Sequence, residues 1–269
     1  MPYLQSNGIR LAYQHSGRGG RTILLIMGSA AAGYAWDMHQ TPALHRAGYA
    51  TVTFDNRGIA PSDAPPGKYT LADVVADTKG LIEALDLAPC RIVGTSMGSL
   101  IAQEIAISDP HLVHSAVLLA TRARSDVLRR AQSAADRALL ESGIKLPPKY
   151  RAVNSVLHML SPDTLNDEEA VASWLEIFEL AGGDGETVAA GQQWIDTDQD
   201  RRSDLSKITA PCRVITFADD TVTPPRLGAE VADAISNCDL VEIPGCGHLG
   251  HLERPEPVNE AIVEFFNKY

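Results

Sequence analysis

Short, almost purely apolar runs alternate along this chain with longer stretches in which apolar residues recur at helical spacing. Residues 3–5 and 9–14 flank Ser6-Asn7-Gly8, and an Asn-Gly turn between two extended segments predicts an opening β-hairpin. Residues 22–27 (TILLIM) are continuously apolar, the mark of a strand buried on both faces. A helical stretch at 36–46, stopped by Gly48, leads to a second buried strand at 50–54. Leu71, Val74, Val75, Leu81, Ile82 and Leu85 fall on one helical face, with Thr70 placed to cap it. Residues 91–93 then read as a strand, 100–107 as an apolar helix ended by Asp109-Pro110, and 114–120 as another buried strand.

Between residues 121 and 207 the strand signal disappears. This stretch is helical in character, broken by Pro147-Pro148 and Gly182-Gly183-Asp184-Gly185, and too long for a loop. Alternation resumes with a strand at 212–217, a helix at 225–235, a strand at 240–243 and a closing helix at 257–268. The order predicts an α/β core from residues 1–120 and 208–269, interrupted by a helical cap at 121–207.

Composition narrows the partners. The 269 residues carry a formal net charge of −11, which repels phosphate backbones and anionic lipid, so neither nucleic acid nor a membrane surface is expected. No apolar run is long enough to span a bilayer. The first residues lack the basic and apolar regions of a secretory signal, so the expected location is the cytoplasm. Cys90, Cys212, Cys238 and Cys246 are scattered without metal-type spacing and are expected to be reduced, structural thiols. The oligomeric state is left open.

One pentapeptide carries chemistry. Gly94-Thr95-Ser96-Met97-Gly98 fits G-x-S-x-G at a strand-to-helix junction, where a sharp turn lifts a serine hydroxyl above the sheet and turns the Met97 amide toward a developing oxyanion. A serine needs a base. His248, in Pro244-Gly245-Cys246-Gly247-His248 just beyond the last strand, is placed to fold back over it. The acid that orients this histidine should follow the strand at 212–217, where Asp219 and Asp220 both stand. His251 reads as a structural neighbour.

With these motifs in view, the chain resembles the α/β-hydrolase fold superfamily over nearly its full length, above all its esterase, enol-lactonase and haloperoxidase-like members. The resemblance implies an eight-stranded, mostly parallel sheet with helices on both faces and the cap between the sixth and seventh strands. Phe217-Ala218-Asp219-Asp220 matches the family's G-x-x-D stretch with Phe in place of Gly, which implies Asp220 as the acid. Asp55-Asn56-Arg57-Gly58-Ile59-Ala60-Pro61-Ser62 resembles the family's D-x-R-G-x-G-x-S turn, and Arg57 is expected to brace loops. The usual His-Gly after the third strand is here Met27-Gly28-Ser29; an oxyanion hole needs backbone N–H groups, which the resemblance assigns to Ser29 and Met97.

The expected activity is acyl transfer to water on a small carboxylic ester, lactone or thioester, with Ser96 as nucleophile, His248 as base, Asp220 as acid and neither metal nor organic cofactor. Carbon–carbon bond hydrolysis or a non-hydrolytic cyclisation on the same three residues is the alternative, and a catalytically weak ligand-binding protein a further one. Met27, Gly28, Trp174, Phe178 and Trp194 are the candidate pocket residues, with His158 and Met159 in the same cap, predicting a small-molecule substrate with an apolar or aromatic body. Arg122-Ala123-Arg124 and Arg129-Arg130 read as a solvated helix face, with carboxylate binding at the pocket mouth as the alternative.

Overall fold

Strands that are apolar on both faces need helices on both faces, and that requirement organises the chain. In the computed structural model, which describes residues 1–181 and 190–269, eight strands form one sheet in the order β1-β2-β4-β3-β5-β6-β7-β8. The elements run β1 (Tyr3–Ser6), β2 (Ile9–Ser16), β3 (Thr22–Ile26), α1 (Gln40–Arg46), β4 (Ala50–Phe54), α2 (Leu71–Ala84), β5 (Cys90–Thr95), α3 (Met97–Ser108) and β6 (Val113–Leu119). Then come α4 (Val127–Ser142), α5 (Pro148–Met159), α6 (Pro162–Leu165), α7 (Glu168–Ala181) and α8 (Arg202–Leu205). The chain closes with β7 (Cys212–Phe217), α9 (Pro225–Ala234), β8 (Cys238–Ile243), α10 (Gly250–Glu253) and α11 (Pro255–Lys268).

The β1–β2 and β2–β4 pairs are antiparallel and all later pairs parallel. The hairpin turn is Asn7-Gly8, both at positive φ. Along β3 the side chains alternate between two cores. Leu24 and Ile26 pack with α2 and α3 residues such as Leu81 and Ile101, while Ile23 and Leu25 pack with Leu44 of α1 and Ile262 of α11. Each such buried side chain stabilises the fold by about 1.5–3 kcal/mol, and a one-residue slip would exchange the two faces.

Some boundaries differ from those read in the sequence. The stretch at 36–46 divides into a 3₁₀ turn, Gly33–Met38, and the helix α1. The described residues between β6 and β7 hold helices and no strand, and Pro147-Pro148 separates α4 from α5; Gly182-Gly183-Asp184-Gly185 lies outside the described residues. Its last helix, α8, packs on α3 and α9, so the end of the insertion lies against the core rather than over it. Arg57 braces loops through ionic contacts: its guanidinium makes a two-pronged bond to Asp77 of α2 (2.5 and 2.6 Å) and faces the ring of Tyr69. Asp55 accepts the amide of Gly33 at 2.7 Å, and Asn56 donates to the carbonyl of Met27 at 3.2 Å, so this turn fixes the end of β3. All four cysteines are free thiols, three buried and Cys238 half-buried.

Candidate active site

The turn between β5 and α3 is tight because two backbone segments meet there. A Cβ on Gly94 would lie 2.3 Å from the carbonyl oxygen of Gly98, and one on Gly98 would lie 2.1 Å from that of Ile26. Only glycine fits at either place. Ser96 between them is held at φ 52°, ψ −117°, a sparsely populated conformation that costs about 1–3 kcal/mol. The surrounding sheet imposes it: the Ser96 amide donates to the carbonyl of Leu119 on β6 at 3.1 Å.

The loop after β8 carries His248 to this hydroxyl. His248 Nε2 lies 3.1 Å from Ser96 Oγ, and Nδ1 lies 2.8 Å from Asp220 Oδ2. Asp220 is almost wholly buried and saturated with donors. Its Oδ1 accepts the amides of Val222 and Thr223, both at 2.8 Å, and its Oδ2 accepts the Thr223 hydroxyl at 2.6 Å. Burial pushes the Asp220 carboxyl up, but the facing His248 and the Thr223 hydrogen bonds outweigh it and hold the group below the ordinary carboxylate value. Asp219 does not reach the histidine in this arrangement; its amide donates to the Cys246 carbonyl. Of the two aspartates left open by the local sequence, Asp220 is the one whose carboxylate meets the His248 ring.

Ser96 and His248 open into a cavity of about 600 Å³ between sheet and insertion, a size suited to a small molecule. Met27, Gly28, Ser29 and Met97 line its floor. Met97 is the first residue of α3, so its N–H has no helical acceptor, and the Ser29 hydroxyl donates to the Met97 sulfur at 3.3 Å. The adjoining Ala30, at φ 58°, is held by a residue that sequence reading passed over. Gln192, in a 3₁₀ turn of the insertion, accepts the Ala30 amide at 2.8 Å and donates to the carbonyl of Arg57 at 2.8 Å. Glu253 is a second such residue. One of its oxygens accepts from the Ser161 amide and hydroxyl and the Thr164 hydroxyl, the other from the amide of Gly247, tying α6 to the His248 loop.

The three cap aromatics are placed elsewhere, which corrects the expected pocket. Trp174 and Phe178 stack on each other along α7, with ring centroids 5.7 Å apart. Trp194 faces the Lys68 ammonium at 3.3 Å, in a separate groove along α2. Among the described residues the cavity has no Phe, Tyr or Trp; its apolar walls are aliphatic, including Leu100, Leu140, Ile144 and Ile195, and Met159 does reach it. The basic residues Arg122 and Arg129, read first as a solvated face, also line it. So does His251, whose ring packs on Trp36 with centroids 5.2 Å apart and is driven by burial down to a pKa of about 3. No cluster among the described residues is arranged to hold a metal ion, and no described helix is long and apolar enough to cross a membrane.

A sheet of this order with a serine on the β5–α3 turn has close counterparts. A Mycobacterium tuberculosis protein named "Putative non-heme bromoperoxidase BpoC" is 46% identical over 258 residues, spanning 96% of this chain and 98% of that one. Its crystal structure is similar with a TM-score of 0.91, covering 96% of each chain. The enol-lactonase from Burkholderia xenovorans LB400 is 25% identical, with a TM-score of 0.78 over 99% of this chain and 100% of that one. A Pseudomonas putida protein named 2-hydroxy-6-oxononadienedioate/2-hydroxy-6-oxononatrienedioate hydrolase 2 is 26% identical over 267 residues, covering 96% of this chain and 91% of that one. Residues 23–261 match the description "Alpha/beta hydrolase family", and with the sheet order and the serine turn in agreement, the chain belongs to that family.

Proposed function

We propose that this protein is a serine hydrolase acting on a small carboxylic ester, lactone or thioester through an acyl-enzyme on Ser96. The reading rests on one observation, the unbroken hydrogen-bonded line from Ser96 Oγ through His248 to the buried carboxylate of Asp220. In it, Ser96 Oγ attacks the carbonyl carbon while its proton passes to His248 Nε2. Asp220 holds the imidazole in the tautomer that bears a proton on Nδ1 and stabilises the imidazolium. The amides of Met97 and Ser29 receive the oxyanion, worth about 10²–10³ in rate for a single donor in comparable enzymes. The carbon–oxygen or carbon–sulfur bond breaks, the leaving group takes the proton from His248, and a water activated by the same histidine releases the acid. The aliphatic cavity supports a substrate with an apolar body, and no metal or organic cofactor enters these steps.

A fluorophosphonate probe tests the assignment directly. It should label the wild-type protein at Ser96 and leave Ser96→Ala unlabelled and inactive on p-nitrophenyl esters. Active protein that resists the probe, or a Ser96→Ala variant with full turnover, overturns it. Hydrolysis of a carbon–carbon bond by the same residues has support in the Pseudomonas putida relative. Turnover of a vinylogous 1,5-diketone with none of simple esters would select that reading.

A further inference from the structure

Four arginines of this protein are buried in the described structure: Arg57, Arg122, Arg201 and Arg213. Three have a carboxylate partner, Asp77 at 2.5 Å for Arg57, Glu104 at 2.6 Å for Arg201 and Asp239 at 2.7 Å for Arg213. Arg122 has none within ion-pairing distance among the described residues. Its guanidinium donates to the Thr197 hydroxyl at 2.6 Å, and its Nε is buried with no hydrogen-bond partner. A buried cation left without a counter-charge is costly, and proteins otherwise pair it.

The surroundings add to the charge imbalance. Arg129, in the first turn of α4, has a buried Nε without a partner and no ion pair among the described residues, and a cation is disfavoured at that end of a helix. Burial and the nearby Arg129 charge together push the Arg122 guanidinium down to about 10. Asp198, a carboxylate of the cavity wall whose charge acts on Arg122, is engaged by Arg137 at 3.1 Å. Arg122 and Arg129 line the same cavity as Ser96 and His248, in a protein whose net charge is −11. A cationic pocket in an acidic protein is not a product of bulk composition.

We propose that Arg122, assisted by Arg129, binds a carboxylate carried by the substrate, so that the enzyme hydrolyses monoacyl derivatives of dicarboxylic acids or their lactone equivalents. The inference rests on the serine-hydrolase reading above and names its substrate class. A planar guanidinium with free N–H groups matches a carboxylate in two-pronged geometry, and such a bond, formed away from water, fixes the scissile carbonyl over Ser96. Removing the substrate carboxylate would leave Arg122 buried and unpaired again, which is how a polar site rejects an apolar analogue by large factors.

The test compares p-nitrophenyl hemiesters of succinate, glutarate and adipate with neutral p-nitrophenyl esters of matched length. For the best-fitting hemiester the wild-type protein should show a kcat/KM at least tenfold above its neutral counterpart, and Arg122→Met should bring the ratio to about one. Arg129→Met should lower the ratio partway, and as a half-exposed position it serves if the Arg122 variant does not fold. A wild-type ratio of one or below across the series, or a ratio unmoved by both variants, overturns the proposal. Failure of the hydrolase reading gives a different pattern: no turnover of any ester and no fluorophosphonate labelling, with glutarate binding by calorimetry still lost in Arg122→Met if the carboxylate site is real and unaffected if it is not.

Discussion

Gln192 joins the insertion to the loop that carries Ser29: its side-chain oxygen accepts the Ala30 amide at 2.8 Å while its nitrogen donates to the Arg57 carbonyl at 2.8 Å. Both bonds are made from a side chain that is almost wholly buried. One glutamine therefore sets the position of the residue after Ser29 relative to the Asp55–Ser62 turn. Replacing it with alanine leaves the buried Arg57 carbonyl without a partner, at about 1–3 kcal/mol, and frees the Ala30 amide to solvent. The expected result for Gln192→Ala is a drop in kcat of about tenfold, smaller than direct loss of an oxyanion donor, with KM little changed. Steady-state kinetics beside a thermal melt decide it. A lowered Tm with unchanged kcat would reduce Gln192 to a purely structural role.

Glu253 does for α6 what Gln192 does for the Ser29 loop. Its carboxylate collects four donors, three from Ser161 and Thr164 and one from Gly247 next to His248. Hydrogen bonds to a charged group contribute about 1.5–3 kcal/mol each. Glu253→Ala should lower Tm by several degrees, at about 2–4 °C per kcal/mol for a chain of this size. Limited proteolysis should also cut sooner near α6. If the digestion pattern and Tm match the wild type, the staple is dispensable.

His251 predicts a pH dependence of stability. Its folded pKa of about 3 lies below the unfolded value of 6.5, so between those values the unfolded chain binds the extra proton and stability falls as pH drops. The loss is on the order of 1.4 kcal/mol per pH unit once well below 6.5. Asp220 acts lower: its depressed folded pKa contributes stability that is present above the unfolded value of 3.8 and lost only as pH falls beneath it. Burial lowers His114 as well, so urea melts at pH 7 and pH 5 report both groups, and His251→Phe, keeping a ring on Trp36, should lose less stability across that interval than the wild type. Parallel loss in the two proteins would mean another group titrates.

The Arg57–Asp77 pair is buried on both sides and two-pronged. Removing one partner strands the other charge, so Arg57→Met and Asp77→Asn should each destabilise by about 3–5 kcal/mol. The double variant Arg57→Met/Asp77→Asn should lose less than the sum of the two single losses, a coupling that chemical denaturation of all four proteins would measure. Additive losses would mean the two residues do not act as a pair.

Much of this was legible in the chain because it is local. The apolar runs around Leu24, Val52 and Val117 mark the parallel strands, and the spacing of Gly94, Ser96 and Gly98 marks the turn, since clashes within that pentapeptide and with the adjoining strand leave no alternative. Asp219 and Asp220 could not be separated locally, because both follow β7 and only the direction in which the loop leaves the sheet decides which reaches His248. The cap aromatics were misplaced for a related reason. Trp174 and Phe178 share one face of α7, and which way that face points depends on how α7 packs on α5 and α6. Gln192 carries no signal in the sequence, and Arg122 reads as part of a solvated face or a carboxylate site without a means to choose; burial distinguishes both residues, and no spacing reveals it.

The four free cysteines bear on how the protein can be handled and inhibited. Burial raises all four thiols, Cys90, Cys238 and Cys246 to about 12 and Cys212 likewise upward, so almost no thiolate exists at neutral pH. Peroxide and alkylating reagents attack thiolates, and here they find very little. The protein should keep its activity in aerated buffer without added reductant. An electrophilic inhibitor directed at the cavity should react at Ser96 with little diversion to sulfur.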